Sequence, residues 1–220
     1  MQHLGIFAKY WQAGSVKTRL ARAIGAEAAS ELYRVFVETL LRRFQQVADR
    51  RTLCYWPPQR QPDFEALAGT AWQLDPQSDG LLGQRMNCFF DKSLKSGSTK
   101  TVLIGSDSPT LPRGYLDRAF ELLGTHPVVL GPTSDGGYYL VGVAGRVPPV
   151  FEGIQWSTPS VWEQTVAALG KASVPFAELP PWYDIDQADD LMGLRDELLE
   201  LCRETPEWSE LLAAVEQAVC

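Results

Sequence analysis

The feature that most constrains this chain is the apolar run Val102-Leu103-Ile104, followed at once by Gly105-Ser106-Asp107-Ser108-Pro109. A β-branched run ending in small residues reads as a buried strand running into a loop. Further strand-like runs occur at Gly5–Ala8, Leu53–Trp56, Ala71–Leu74, Pro127–Leu130, Tyr138–Val143 and Phe176–Leu179. Helical apolar spacing separates most of them: Leu32, Phe36, Leu40, Phe44 and Val47 within residues 27–47, then segments near 64–68, 83–94, 114–123, 158–169, 188–202 and 208–219. Pro159 suits the first turn of its helix. This alternation predicts an α/β fold, with a Rossmann-like, mostly parallel sheet and helices on both faces. No linker, repeat or low-complexity tract interrupts residues 1–220, so one domain is expected.

In such folds ligands gather outside the carboxyl ends of the strands. Asp107 is placed there with little bulk around it, which suits a hydrated cation carrying a substrate phosphate. A plainer role would be to cap the helix starting near Pro112. A second acidic feature, Asp184-Ile185-Asp186, puts two carboxylates on one side of an extended segment. At an effective dielectric near 20 such a pair repels by about 4 kcal/mol at 4 Å. A divalent cation would relieve that repulsion and could bridge to Asp107. A solvated strand end with a helix cap is the alternative.

The loop after the first strand carries Lys9, Gly14, Lys17 and Arg19. Lysine is a mobile point charge and arginine a rigid fork; both suit phosphates. Backbone N–H groups of a glycine loop before a helix add anion affinity. Gly14-Ser15-Val16-Lys17-Thr18 narrowly misses a P-loop, because that motif needs glycine where Val16 stands. Asp135-Gly136-Gly137-Tyr138 combines a carboxylate with two glycines that permit positive φ and close approach to a ligand. Asp135 could serve as a base or hold a hydroxyl, or simply make a tight turn. Trp156 and Ser157 are candidate pocket residues, with Ser157 equally suited to capping the next helix.

Composition narrows the classes further. Net charge is −7, yet residues 1–51 hold nine Lys/Arg against four Asp/Glu. A basic start on an acidic chain suggests a local anion site, not a nucleic-acid footprint. Arg42, Arg43, Arg50 and Arg51 read as solvated outer positions of a basic helix. Two histidines and four scattered cysteines offer neither a zinc ribbon nor a redox pair. No Gly-x-Ser-x-Gly elbow is present, which argues against a serine hydrolase. The Asp-x-Asp pair lies too late in the chain for a dehalogenase-type phosphotransferase. No apolar run approaches the ~20 residues of a membrane span, and the first residues do not resemble a signal peptide. A soluble cytoplasmic protein is expected.

Taken together, Phe7–Leu20, Leu82–Met86 (Leu-Gly-Gln-Arg-Met), Gly105–Pro112, Gly131–Leu140, Phe151–Pro159 and Tyr183–Asp186 resemble a glycosyltransferase-A-like family of small bacterial proteins, of the arsenosugar-biosynthesis type. The resemblance runs over residues 4–192. It implies a nucleotide-diphospho-sugar transferase fold of the GT-A type, more distantly similar to guanylyltransferases that activate phosphorylated acids. It also implies Mg²⁺ or Mn²⁺ at Asp107, Asp184 and Asp186, and nucleotide at the first loop, with Arg85 as a further phosphate contact. The expected partners are a nucleotide-sugar or NTP and a small-molecule acceptor. Trp11 and Ala13 stand where the family commonly has prolines, and Gln187-Ala188 where it has Thr-Pro. The leading expectation is a metal-dependent glycosyltransferase using a nucleotide-sugar donor. The alternatives are a nucleotidylyltransferase acting on a small phosphorylated acid and a non-catalytic nucleotide-binding protein.

Overall fold

A computed structural model describes residues 1–219. Its seven-stranded sheet has the order β3-β2-β1-β4-β6-β5-β7. The strands are β1 (Gln2–Lys9), β2 (Arg50–Trp56), β3 (Gln73–Pro76), β4 (Lys100–Ile104), β5 (Val128–Pro132), β6 (Tyr138–Ala144) and β7 (Phe176–Glu178). The helices are α1 (Ala21–Ile24), α2 (Ala26–Phe44), α3 (Gln61–Ala68), α4 (Leu82–Lys95), α5 (Arg113–Leu122), α6 (Val161–Lys171), α7 (Ala188–Glu204) and α8 (Ser209–Val219). All pairings are parallel except those of β6, which runs antiparallel to both β4 and β5. The expected α/β sheet is therefore present. The helix expected from Thr158 starts later, at Val161, so Pro159 precedes it.

The two faces of the sheet are filled by separate apolar sets. Leu4, Ile6, Val102 and Ile104 meet Leu40, Phe44 and Phe120 on one side. Leu103, Val141 and Val143 meet Phe89, Phe90 and Leu169 on the other. This two-sided burial explains why the inner strands read as continuous apolar runs. Helix α2 is wedged between two cores. Its Val37, Leu40 and Phe44 face the sheet, whereas Leu32, Val35 and Phe36 face Leu191, Leu194, Leu198 and Leu211 of α7 and α8. Thus the stripe that reads as one helical face serves two layers.

Strand order sets the position of any site. The chain moves outward from β1 to β2 and β3, then returns to place β4 on the other side of β1. The loops after β1 and β4 consequently lie side by side at the carboxyl ends of neighbouring strands, where ligands bind in open α/β sheets. Because β6 is antiparallel, its leading turn, residues 133–137, lies at the same edge. The segment after β7 returns there too, through a bridge between Thr133 and Trp182. No helix among the described residues is long and apolar enough to cross a membrane.

Candidate functional site

Four segments meet at that edge, and buried hydrogen bonds hold them in register. The Tyr33 hydroxyl of α2 lies 2.6 Å from Ser106 Oγ and accepts from Lys9 N at 3.0 Å. It thereby ties the end of β1 to the loop after β4. Burial, reinforced by Asp107, pushes this phenol up to about 12, so it stays protonated. Ile185 N donates to the Asp107 carbonyl at 3.0 Å, pinning the late acidic segment to the same loop. Ser108 Oγ donates to Asp184 Oδ1 at 2.5 Å.

Lys17 occupies the centre. Its side chain is 2% exposed, with Nζ paired to Asp107 Oδ1 and 3.2 Å from Asp186 Oδ1. Its ammonium lies 5.8 Å from the centre of the Phe36 ring. Burial alone would lower its pKa, but Asp107 and Asp186 outweigh burial, so the net shift is upward and the ammonium remains charged. Asp184 is pushed up to about 7, chiefly by burial and then by the Asp107 charge, with Asp135 adding a smaller push. Asp107 and Asp186 therefore gather on Lys17, whereas Asp184 feels Asp107 more strongly than it feels the lysine. Among the described residues no three His, Cys, Asp or Glu side chains form a ready-made metal cage.

The oxygen-only donors Asp107 and Asp184 nevertheless fit a hard cation. Mg²⁺ characteristically takes one or two carboxylates and completes its shell with water and substrate phosphates. Asp184 is raised chiefly by burial and next by the Asp107 charge, and such an ion would offset that charge. Asp186 is engaged by Lys17 and, at 3.8 Å, by Arg19.

The other expected site residues are distributed as follows. Arg19 is largely exposed and borders a cavity of about 510 Å³ with Arg22, Ala23, Gln187 and Ala188. Lys9 closes β1 at the same edge, and Gly14 turns the following loop at φ +77°. Arg85 stacks on Trp56, 4.6 Å from its ring centre, and donates to Gly80 O and Gln77 Oε1. It is thus bound to its own loop beside the β2 end. Asp135 Oδ1 accepts from Thr133 Oγ1 at 2.5 Å and from Gly137 N at 3.1 Å, closing the turn before β6. Gly136 has φ +89°, and an added Cβ would meet the Pro159 carbonyl at 2.1 Å. The close approach that demands glycine is therefore to the chain itself. Trp156 is half-buried, packed edge-on to Tyr138 and against Gly83. Ser157 is exposed with φ +63° and makes no cap, since α6 has Ser160 at its N-cap. Asp107 likewise is not the cap of α5, which begins after Pro112.

Tyr33 and Ser108 were not among the expected site residues. Their signal in the sequence is faint: a tyrosine within an apolar helical stripe and a second serine in Gly-Ser-Asp-Ser. Arg43 corrects the reading of solvated outer arginines. It donates to the carbonyls of Pro109 at 2.8 Å and Leu111 at 3.0 Å, and lies 4.1 Å from the Trp208 ring centre. Burial pulls it down to about 10. Arg50 and Arg51 correct it too, because they belong to β2 and not to a helix.

The chain matches, over residues 39–158, the family described as "Uncharacterized protein conserved in bacteria (DUF2064)". It is a member of that family. This DUF2064 chain is 32% identical to a "putative nucleotide-diphospho-sugar transferase" from Desulfovibrio desulfuricans G20, whose crystal structure superposes with a TM-score of 0.88 and covers 99% of this chain and 97% of that one. It therefore falls in the nucleotide-diphospho-sugar transferase superfamily. More distant likenesses show the fold alone. Rv0371c of Mycobacterium tuberculosis H37Rv, solved with manganese, is 16% identical over 88% of this chain and 98% of that one, TM-score 0.51. A CMP:2-keto-3-deoxy-manno-octonic acid synthetase solved with CTP is 12% identical over 90% and 98%, TM-score 0.54. No curated protein matches the chain.

Proposed function

We propose that this DUF2064 chain is a metal-dependent transferase acting on a nucleotide-activated substrate, with glycosyl transfer from a nucleotide-sugar as the leading reaction. The observation that carries this reading is the cluster of buried Lys17 with the partly exposed Asp107, Asp184 and Asp186 at the switch point between β1 and β4. The name of the 32%-identical relative supports the nucleotide-sugar class.

Asp107 and Asp184 would hold Mg²⁺ or Mn²⁺, with Asp186 close by; the manganese-bound relative supports this choice of ion. When bound, the ion would supply charge stabilisation to the diphosphate leaving group. Arg19, at the exposed rim, would grip the phosphates. Lys17 would add a positive charge from a side chain that is already desolvated. Tyr33 and Ser108 orient the acidic loop without touching substrate. Trp156 would wall the acceptor side.

Asp135 separates two chemistries. An inverting glycosyl transfer needs a base near the acceptor hydroxyl, and Asp135 lies at the correct edge. Its Oδ1 is engaged in its own turn, however, and this favours the second reading, nucleotidyl transfer onto an already ionised phosphate, which needs no base. The experiment is steady-state kinetics of Asp135→Asn, with products followed by phosphorus NMR. A base role lowers kcat about 10²–10⁴-fold at unchanged donor affinity. Near-normal kcat with pyrophosphate release assigns nucleotidyl transfer. If neither nucleotide-sugars nor NTPs bind in the presence of Mg²⁺ or Mn²⁺, the transferase reading fails.

A further inference from the structure

The ion pairs of Lys17 have a consequence for the order in which ligands bind. Lys17 is 2% exposed and touches two carboxylates from different segments, Asp107 after β4 and Asp186 before α7. Its backbone is held at φ +47°, a conformation that costs energy for a side chain with a Cβ. That conformation begins the turn leading into α1, where Ala21 N donates to Lys17 O at 2.8 Å. The fold thus places an ammonium against Asp107, the carboxylate best situated to hold a metal.

We propose that Lys17 and a divalent cation compete for Asp107, so that Lys17 must move onto substrate phosphate before the ion can bind there. This rests on the metal-dependent reading above and deepens it. An ammonium and a divalent ion sharing one carboxylate repel each other at contact distance, and although Asp107 is half-exposed, the lysine side chain is 2% exposed and lies against Phe36, so little water reaches it. Asp186 offers Lys17 only a partial retreat, since Arg19 already approaches it. A diphosphate supplies the missing negative charge: it accepts the ammonium and shares the ion. Lys17 therefore acts as a built-in stand-in for the metal. Ion alone binds poorly, ion and diphosphate bind synergistically, and the acidic cluster does not fill with metal between turnovers.

The test is titration calorimetry with Mn²⁺ alone, then with Mn²⁺ and inorganic pyrophosphate, on the wild type, Lys17→Gln, Lys17→Arg and Asp107→Asn. Lys17→Gln should bind Mn²⁺ alone at least about 10-fold more tightly than the wild type, within the usual range of coupling between two ligands. It should also lose most of the gain in Mn²⁺ affinity that pyrophosphate gives the wild type. Lys17→Arg keeps the charge and should stay weak. If Lys17→Gln binds Mn²⁺ no better than the wild type, while Asp107→Asn abolishes the pyrophosphate-supported binding, the exchange is wrong and the metal site stands. If no form binds Mn²⁺ with or without pyrophosphate, both fall. Should Lys17→Gln not fold, the wild type still decides. Its Lys17 ¹⁵Nζ resonance, assigned by its absence from Lys17→Arg, should move when Mg²⁺ and pyrophosphate are added together. An unmoved resonance with the ion bound overturns the proposal.

Discussion

The sheet has a polar cluster at each end, and the two are built on opposite principles. At the carboxyl ends of the strands, the buried ammonium of Lys17 meets the half-exposed carboxylates Asp107 and Asp186, with Asp184 beside them. At the amino ends, His3 sits 3% exposed in a neutral chain: Thr52 Oγ1 to His3 Nε2 at 2.8 Å, His3 Nδ1 to Ser93 Oγ at 2.5 Å, and Ser93 Oγ to Thr101 Oγ1 at 2.7 Å. Every polar atom of that histidine has a partner and no buried carboxylate faces it. Burial, with help from Arg50, holds the imidazole neutral at about 4. A satisfied neutral network serves packing and register. In the charged cluster burial first, and then the Asp107 charge, push Asp184 up to about 7, and strongly perturbed groups of that kind concentrate at functional sites.

The largest expected effect falls on the charged end. Asp107→Asn should abolish divalent-ion-dependent nucleotide binding while leaving the fold intact, because Lys17 retains Asp186. Undiminished, still ion-dependent binding in a thermal-shift titration would remove Asp107 from the site.

Next in size is the pH dependence of stability, where the two ends should oppose each other. Asp184 is raised in the folded protein, so its contribution is complete below about pH 4 and is lost as pH rises through about 7, roughly 4 kcal/mol at 1.4 kcal/mol per unit. His3 is lowered, so its contribution is complete above about pH 6.5 and is lost as pH falls towards 4, about 3 kcal/mol on the same scale. The opposed slopes should nearly cancel in the wild type over that window. Asp184→Asn should expose the histidine slope, with stability rising with pH. His3→Gln should expose the carboxylate slope, with stability falling. Urea denaturation at pH 4.5, 5.5 and 6.5, set across those folded-state and ordinary values, checks both; parallel profiles in all three proteins would erase the contrast.

The smallest effect concerns the exposed rim. Arg19→Ala should weaken nucleoside diphosphate binding by about 1.5–3 kcal/mol, the scale of hydrogen bonds to charged groups. Unchanged affinity by calorimetry would make the rim a solvated surface and leave recognition to the buried lysine.

The α/β class, the strand before Asp107 and the acidic pair at Asp184 and Asp186 were all legible before any tertiary structure, because each rests on local chemistry. Apolar runs report two-sided burial, and small residues after a strand report a loop at its end. The role of Lys17 was half legible. A cation in a glycine loop points to phosphate, but nothing local shows that it first meets Asp107, 90 residues away, or Asp186, 169 residues away. Arg43 shows the same gap. Between other basic and apolar residues it reads as a solvated position, and only the packing of Trp208, just before α8, against it turns it into a half-buried strut for the Pro109 and Leu111 carbonyls. Gly136 reverses the emphasis, since its need for positive φ was readable and its close neighbour, Pro159, was not. Sequence by itself therefore determined which segments are strands, which end in polar loops and where charge must be explained. Tertiary structure alone decided which charges meet. Pairing across the sheet depends on strand order, and strand order follows from how whole layers bury their apolar faces, not from the residues on either side of a charge.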